Sequence, residues 1–231
     1  CPIAKMRQRH LVLIHLFSNF IIIKTMDSIS AYKNRALASL DKGWSTPVIC
    51  TLVYYIITFV VAGVMGGKDS SVVRQTVGFL FYLGLIPLGW SLQVLFLEYV
   101  REGRTQVNSL FLGFKKPWLP KSFLIPFLVG IYTVLWTLLL IIPGIIKAYS
   151  YAMAPYVFKD NPEISCDDAI KESMRLMDGH KLQLFLLDLS FIGWVILASL
   201  TLGIGFLWLV PYWQTTRVHF YEDLKKEMPA A

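Results

Sequence analysis

Long apolar runs constrain the fold of this chain more than any other feature of its sequence. One of them, residues 47–66, holds 20 residues without a charged side chain. An α-helix rises about 1.5 Å per residue, so a run of this length crosses the roughly 30 Å hydrocarbon core of a bilayer. A membrane β-barrel would instead show short segments of alternating apolar and polar residues. The runs therefore predict an all-α, polytopic membrane protein.

The composition and charge of the chain favour the same class of protein. Of its 231 residues, 55% are hydrophobic and 16% are charged, whereas about 25% are charged in a typical soluble domain. The net charge of +7 is typical of a membrane protein with basic cytoplasmic loops, and we do not expect nucleic-acid binding. Cys1, Cys50 and Cys166 are far apart in the sequence and suit neither a disulfide framework nor a zinc site.

The apolar runs predict six transmembrane helices arranged as three hairpins, each preceded by a cytoplasmic amphipathic helix at the membrane interface. The third amphipathic helix has the clearest ends, because Ser165 can cap its start and Gly179 can stop it. The amphipathic elements are predicted at residues 27–42, 107–114 and 165–177. The spans are predicted at residues 47–66, 77–97, 123–142, 145–158, 182–200 and 206–221, with a kink at Gly84, Pro87 and Gly89.

The first 25 residues differ from the rest of the chain. A basic segment precedes an apolar run at 11–23, which is too short and too polar to span a membrane. No small-residue cleavage site of a signal peptide follows this run. We interpret residues 1–25 as a non-native or upstream extension, residues 26–224 as a single six-helix membrane domain, and residues 225–231 as a polar tail.

The distribution of Lys and Arg predicts the orientation of the domain. Most of these residues lie in the amphipathic helices, in the loop 98–121 and near the C-terminal end, whereas Lys68 and Arg74 lie in the opposite loops. Because cytoplasmic loops are enriched in Lys and Arg, both ends of the domain that begins at Met26 are predicted to be cytoplasmic.

An internal repeat is visible in the second span of each predicted hairpin. Each of these spans contains a proline, at Pro87, Pro155 and Pro211, and ends in a related string, at 96–99, 156–160 and 220–223. The spacing suggests three stacked hairpins around one core. The alternative is chance likeness among six apolar spans, since short motifs are weakly specific.

Two charged residues are predicted to lie inside the last hairpin. From the helical rise, Asp188 lies about 9 Å and Arg217 about 12 Å from the cytoplasmic edge, so we predict that they pair. The pair is either a structural strut or a polar site for a substrate, an ion or a proton. Gln93 and Gln214 are secondary candidates for such a site. Lys147 is a further candidate, although its predicted place near the outer surface makes it a poor partner for Asp188.

Four stretches in the second half of the chain resemble a bacterial integral-membrane family labelled domain of unknown function 975. They are residues 142–156, 169–181, 188–194 and 202–212. The resemblance extends over about 26–222, and it implies a start at Met26 and a place in the bacterial cytoplasmic (inner) membrane. The family is also similar to the membrane domain of some glycerophosphodiester phosphodiesterases. It implies no catalytic residue, because the family has no established activity.

The sequence lacks the Walker loop, the dinucleotide fingerprint, the His-Glu-x-x-His motif and the Gly-x-Ser-x-Gly elbow of common enzymes. We therefore expect an uncharacterised, non-enzymatic scaffold or accessory protein of the cell envelope, with no catalytic, cofactor or metal site. Its basic helices would bind anionic lipid or a protein partner. The alternatives are a small transporter or channel with Asp188 and Arg217 in its path, and a lipid-modifying membrane enzyme.

Overall fold

The computed structural model describes residues 27–65 and 72–227, and every regular element in these ranges is a helix. The predictions for residues 1–25 and for Lys68 lie outside the described residues. The helices in chain order are α1 (Ile29–Leu40), α2 (Ser45–Met65), α3 (Val72–Gly84), α4 (Ile86–Glu102), a 3₁₀ helix (Val107–Phe114), α5 (Leu119–Leu139), α6 (Ile141–Tyr151), α7 (Ala154–Asp160), α8 (Cys166–Leu176), α9 (Lys181–Leu189), α10 (Ile192–Leu200) and α11 (Phe206–Glu227).

Four helical stretches are long and apolar enough to cross a membrane: Ser45–Gly63, Gln75–Glu102, Leu119–Leu139 and Lys181–Leu200. They correspond to the first, second, third and fifth predicted spans. The all-helical class and the membrane-like character of the sequence are thereby confirmed. The two remaining predicted spans, 145–158 and 206–221, are helical as well, but the first is divided between α6 and α7 and the second lies within the charged helix α11.

Three of the apolar segments are interrupted. The kink predicted around Gly84 is present as a break at Leu85, and Pro87 occupies the first turn of α4. Pro155 occupies the same place in α7 after the break between α6 and α7, because a first-turn proline costs no helical hydrogen bond. The break between α9 and α10 contains no proline, and it divides the apolar stretch Lys181–Leu200 into two helices.

The protein core lies where α4, α7 and the second half of α11 meet. Trp90, Tyr156, Phe158, Phe220 and Tyr221 are no more than 2% exposed. The ring centroids of Trp90 and Phe158 are 5.3 Å apart, and those of Tyr156 and Tyr221 are 5.1 Å apart. We call this part the inner zone: α1, α4 from Pro87 onward, the 3₁₀ helix, α7, α8, α9 and α11 from Thr215 onward.

The other helices expose most of their apolar side chains. Phe59 on α2 is 79% exposed and Leu138 on α5 is 78% exposed. We call this part the outer zone: α2, α3, α5, α6, α10 and α11 before Thr215. An apolar surface of this extent is typical of a protein region that faces lipid or another protein.

The three predicted amphipathic elements are present, and each packs on one of the helices α4, α7 and α11. The 3₁₀ helix packs on α4 and α8 packs on α7. Helix α8 begins with the predicted cap, since Ser165 Oγ accepts a hydrogen bond from the Asp168 N–H at 3.1 Å. Gly179 follows the helix at a φ of 79°. The second element is a 3₁₀ helix rather than an α-helix, which the apolar pattern alone does not distinguish.

Helix α1 lies lengthwise against α11, at the other end of the chain. Arg35 Nη2 donates to Asp223 Oδ2 at 2.5 Å, and Ser39 Oγ lies 3.0 Å from His219 Nε2. Residue numbers rise along α1 as they fall along α11, so the two helices are antiparallel. The amphipathic face of α1 is therefore covered by the C-terminal helix, which joins the two ends of the described chain.

Candidate functional site

Asp188 and Arg217 form the ion pair that the sequence predicts. Asp188 lies one residue before the end of α9, and Arg217 lies in the middle of α11. The Arg217 guanidinium donates from Nε to Asp188 Oδ1 at 3.1 Å and from Nη2 to Asp188 Oδ2 at 2.6 Å. This bidentate geometry is the strong form of an Arg–carboxylate contact, and it ties α9 to α11.

Trp213 is a third member of the site that sequence reasoning missed. Its indole Nε1 donates to Asp188 Oδ1 at 2.6 Å. Trp213 and Arg217 are four residues apart on α11, so they lie on one face of that helix; this spacing was the available signal. The side chain of Asp188 is 9% exposed and that of Arg217 is 27% exposed. The Asp188 carboxylate is thus paired with a cation and accepts hydrogen bonds at both oxygens.

Lys33 reaches the same region from α1. Its Nζ donates to the backbone carbonyl of Ser190 at 2.9 Å, and it lies 4.3 Å from the centroid of the Phe191 ring. Ser190 follows the last residue of α9, where unpaired carbonyls favour a cation. Lys33 therefore caps α9 across the break before α10. Sequence reasoning placed Lys33 only on the polar face of an amphipathic helix.

The three secondary candidates, Gln93, Gln214 and Lys147, lie at different places relative to the Asp188–Arg217 pair. Gln214 lies near the pair on α11, and its Oε1 is 3.5 Å from the hydroxyl of buried Tyr156. Lys147 lies with its Nζ 5.1 Å from the Trp136 ring centroid, and it is not among the ion-pair partners of Asp188 within the described residues. Gln93 is half-buried on α4, and within the described part of the chain no hydrogen bond joins it to the pair.

A second polar cluster lies at the ends of α4, α7 and α11, where the three related strings of the sequence converge. The Asp160 carboxylate accepts from Arg101 Nη2 at 3.0 Å, from the Tyr221 hydroxyl at 2.9 Å and from Lys225 Nζ at 2.5 Å. Arg101 Nε also donates to Glu222 at 2.8 Å. One carboxylate on α7 thus connects all three helices.

The surroundings of Asp160 determine its ionisation. Burial raises the pKa of this carboxyl, but the hydrogen bonds from Arg101 and Lys225 outweigh burial, so its pKa lies below the ordinary value. Asp223 on α11 is in a similar position: burial raises its pKa, and the hydrogen bonds from Arg35 and Lys226 lower it further than burial raises it. Both carboxylates are therefore charged at neutral pH and stabilise the inner zone.

A polar cavity of about 650 Å³ lies beside this cluster, between α7, α8 and α11. Its rim includes Asp160, Lys171, Glu172, Arg175 and Lys225. The lining contains both acidic and basic side chains, so its charge is mixed and it does not favour a strongly charged ligand of either sign. Among residues 27–65 and 72–227, no group of three His, Cys, Asp or Glu side chains has a spacing that could hold a metal ion.

Comparison with known proteins identifies the second half of the chain. The model of a family described as Protein of unknown function (DUF975) matches residues 137–228. No curated protein and no solved structure matches the chain. The matched region contains both Asp188 and Arg217, together with α6 to α11. The further likeness to the membrane domain of glycerophosphodiester phosphodiesterases stays a prediction. The family match confirms the resemblance of this part of the chain to the domain of unknown function 975.

Proposed function

We propose that the protein crosses the bacterial cytoplasmic membrane six times and acts as a non-enzymatic scaffold or accessory protein of the envelope. The six crossings are the four apolar stretches described above, the α6–α7 segment over 145–158 and the part of α11 over 206–221. In this arrangement the outer zone lies in lipid. The charged ends of α4, α7 and α11, with the amphipathic elements, lie on the cytoplasmic side.

The scaffold role is supported chiefly by one observation: the Asp188 carboxylate already has hydrogen-bond donors at both of its oxygens. A carboxylate that binds and releases a substrate must exchange its partners during each cycle. Both oxygens of Asp188 already accept hydrogen bonds, two from Arg217 and one from Trp213. Because breaking a buried charge pair costs several kcal/mol, roughly 3–5, this arrangement favours a permanent strut between α9 and α11.

The proposed orientation is supported by the contacts of the basic residues. Arg35 pairs with Asp223, and Arg101 and Lys225 both pair with Asp160. Cations from the start, the middle and the end of the described chain thus gather at one end of the molecule. The positive-inside rule places such an end in the cytoplasm.

Cysteine labelling in intact cells tests the six crossings and their orientation. In a variant whose native cysteines are replaced, Leu202→Cys lies in the turn between α10 and α11, and Lys115→Cys lies in the loop between α4 and α5. We expect a membrane-impermeant maleimide to label position 202 and to leave position 115 unlabelled until the cells are opened. Labelling of position 115 in intact cells would contradict the orientation.

A transporter or channel is the second candidate, and the three interrupted helices favour it. Broken helices expose backbone groups at ion and substrate sites in many transporters. Arg217 also retains 27% exposure of its side chain. Proteoliposome flux separates the two candidates: flux that Asp188→Asn or Arg217→Gln abolishes would favour transport. Flux no greater than that of protein-free liposomes supports the scaffold. A protein partner that co-purifies in a constant ratio with the Asp188→Asn/Arg217→Gln double variant supports it as well.

A further inference from the structure

An apolar groove runs between α1 and the segment that joins it to α2 on one side and α10 and α11 on the other. It encloses about 330 Å³, which is near the lower end of ligand-site volumes. Leu37 and Trp44 form one wall, and Trp194, Leu197 and Trp208 line the opposite wall. The groove is continuous with the exposed apolar surface of α10, so in a membrane it opens to lipid.

One end of this groove carries a cation without an acidic partner. Leu37 lies one helical turn after Lys33 on α1, and Trp194 lies one turn after Ser190, the residue that Lys33 contacts. The Lys33 Nζ lies 4.3 Å from the centroid of the Phe191 ring, and the Phe191 ring packs at 5.1 Å on the ring of Tyr212, which lines the groove. The ammonium is therefore beside one end of the groove.

The Lys33 ammonium has capacity for a further partner. It has three donors, and one of them bonds the Ser190 carbonyl. Of the ion pairs among the described residues, none includes Lys33. Asp188, two residues from Ser190, is already committed to Arg217 and Trp213. Burial lowers the pKa of Lys33, which means that the charged form lacks compensation by a nearby anion.

The groove also lies at a boundary between polar and apolar surface. On one side of Ser190, α9 runs beside the polar residues of α1, and Gln183 Nε2 donates to the Asp27 carbonyl at 3.3 Å. On the other side, α10 exposes apolar side chains from Ile192 to Leu200. Trp44, which precedes α2, is of a residue type that favours the headgroup region of a bilayer. An amphiphile with its head at Lys33 and its chain along α10 matches this boundary.

We propose that the groove binds an anionic phospholipid, with an acyl chain between α1–α2 and α10–α11 and the phosphate against Lys33. This inference rests on the proposed membrane insertion and names a lipid partner for it. A neutral apolar segment of another protein would leave the Lys33 charge uncompensated. A zwitterionic lipid would bring a second cation near the same ammonium, so the site prefers a lipid whose headgroup is net negative.

Lipid titration of the purified protein tests the proposal. We would measure binding of phosphatidylglycerol and of phosphatidylcholine with identical chains, by native mass spectrometry from detergent. We expect the wild-type protein to bind phosphatidylglycerol about tenfold more tightly, because the choline of phosphatidylcholine brings a second cation near the Lys33 ammonium. Lys33→Met should remove this preference. Lys42→Met removes the same charge at an exposed position near the end of α1, and it should keep the preference.

A second variant tests the place of the acyl chain. Leu197→Trp fills the groove from an exposed position and leaves Lys33 intact, so it should weaken the binding of both lipids. Equal binding of the two lipids by the wild-type protein, or an unchanged preference in Lys33→Met, would overturn the proposal and leave Lys33 as a helix cap only. Unchanged affinity in Leu197→Trp would exclude the groove as the chain site. Competition by glycerol phosphate alone at equal concentration would likewise indicate a phosphate site without a chain.

A failure of the lipid-site proposal can be distinguished from a failure of the proposed function. Membrane insertion is measured separately, by resistance to carbonate extraction from phosphatidylcholine liposomes. A protein that inserts but shows no headgroup preference contradicts the lipid site and retains the scaffold. A protein that does not insert contradicts both.

Discussion

The inner and outer zones are both rich in large apolar side chains, but they remove them from water by different means. In the inner zone, Trp90 and Phe158 are covered by other parts of the same chain. In the outer zone, Phe59 and Leu138 remain exposed and need lipid as their solvent. The contrast shows that apolar composition locates membrane-like helices, whereas it does not tell which of them form the protein core.

Polar groups distinguish the two zones more sharply. In the most exposed parts of the outer zone, hydroxyls bond within their own helix: Thr137 Oγ1 donates to the Thr133 carbonyl at 2.7 Å, and Ser199 Oγ donates to the Val195 carbonyl at 2.8 Å. In the inner zone, the Tyr99 hydroxyl instead donates from α4 to the Ser39 carbonyl on α1 at 3.1 Å. Outer helices are thus self-sufficient in an apolar solvent, and inner helices depend on one another.

Replacing one tryptophan in each zone by alanine should give the largest difference in the free energy of unfolding between the zones. Trp90 packs on Trp118 and Phe158, and its Nε1 donates to the Pro155 carbonyl at 3.3 Å. We expect Trp90→Ala to reduce the free energy of unfolding by about 3–5 kcal/mol. Trp194→Ala, at a side chain that is 52% exposed, should cost less than about 1 kcal/mol. Denaturation in detergent measures both, and equal losses would remove the distinction between the zones.

A glycine pair tests whether the outer zone has any specific packing of its own. A Cβ at Gly144 on α6 would lie 2.7 Å from Thr137 Cα on α5, whereas a Cβ at Gly130 would meet nothing within 4 Å. Gly144→Ala should therefore destabilise the protein by about 1–3 kcal/mol. Gly130→Ala should be neutral or slightly stabilising, because alanine is the better helix former. If Gly144→Ala were also neutral, the α5–α6 hairpin would not be tightly packed, and lipid alone would hold the outer zone.

Removal of the Asp160 charge should have a smaller effect on the inner zone. Asp160→Asn weakens the contacts with Arg101 and Lys225 that join α4, α7 and α11, and we expect a loss of about 1–2 kcal/mol. Asp178→Asn is the matched control, since its exposed carboxylate lies 3.7 Å from Lys181 and such pairs contribute about 0–1 kcal/mol. Similar stability of the two variants would show that the cluster does not hold the helices together.

The same carboxylates predict a modest pH dependence. The pKa values of Asp160 and Asp223 are lower in the folded protein than their ordinary value, so the unfolded state binds more protons between the two values. Their stabilisation is complete above the unfolded pKa of about 4 and is lost as the pH falls through the folded pKa. Thermal unfolding between pH 7 and pH 3 should show this loss. A double Asn variant should show a shallower decline, and an identical decline would assign the acid sensitivity to other groups.

The features that the sequence predicted correctly depend on local composition or on helical rise. The apolar stretches, the break near Gly84, the cap at Ser165 and the depth match of Asp188 with Arg217 are of this kind. Contacts between distant parts of the chain were not predicted. Arg35 and Asp223 are 188 residues apart, and no periodicity on α1 indicates which helix will cover it.

The break between α9 and α10 shows a second limit of the sequence. It contains neither proline nor glycine, and the carbonyl it leaves at Ser190 is bonded by Lys33 from α1. The break therefore depends on a contact between distant parts of the chain. The convergence of helices at Asp160 and the groove beside Lys33 depend on such contacts as well. The related strings at the ends of the second spans were the available hint of that convergence.

We propose that Asp188 and Arg217 form a structural strut rather than an exchangeable binding site. The most direct measurement is the free energy of unfolding in detergent of Asp188→Asn, Arg217→Gln and the double variant. Each single variant leaves one buried group without its partner, so we expect a loss of about 3 kcal/mol for each and clear recovery in the double variant. Single variants as stable as the wild-type protein would contradict the strut and would assign these charges to binding or transport.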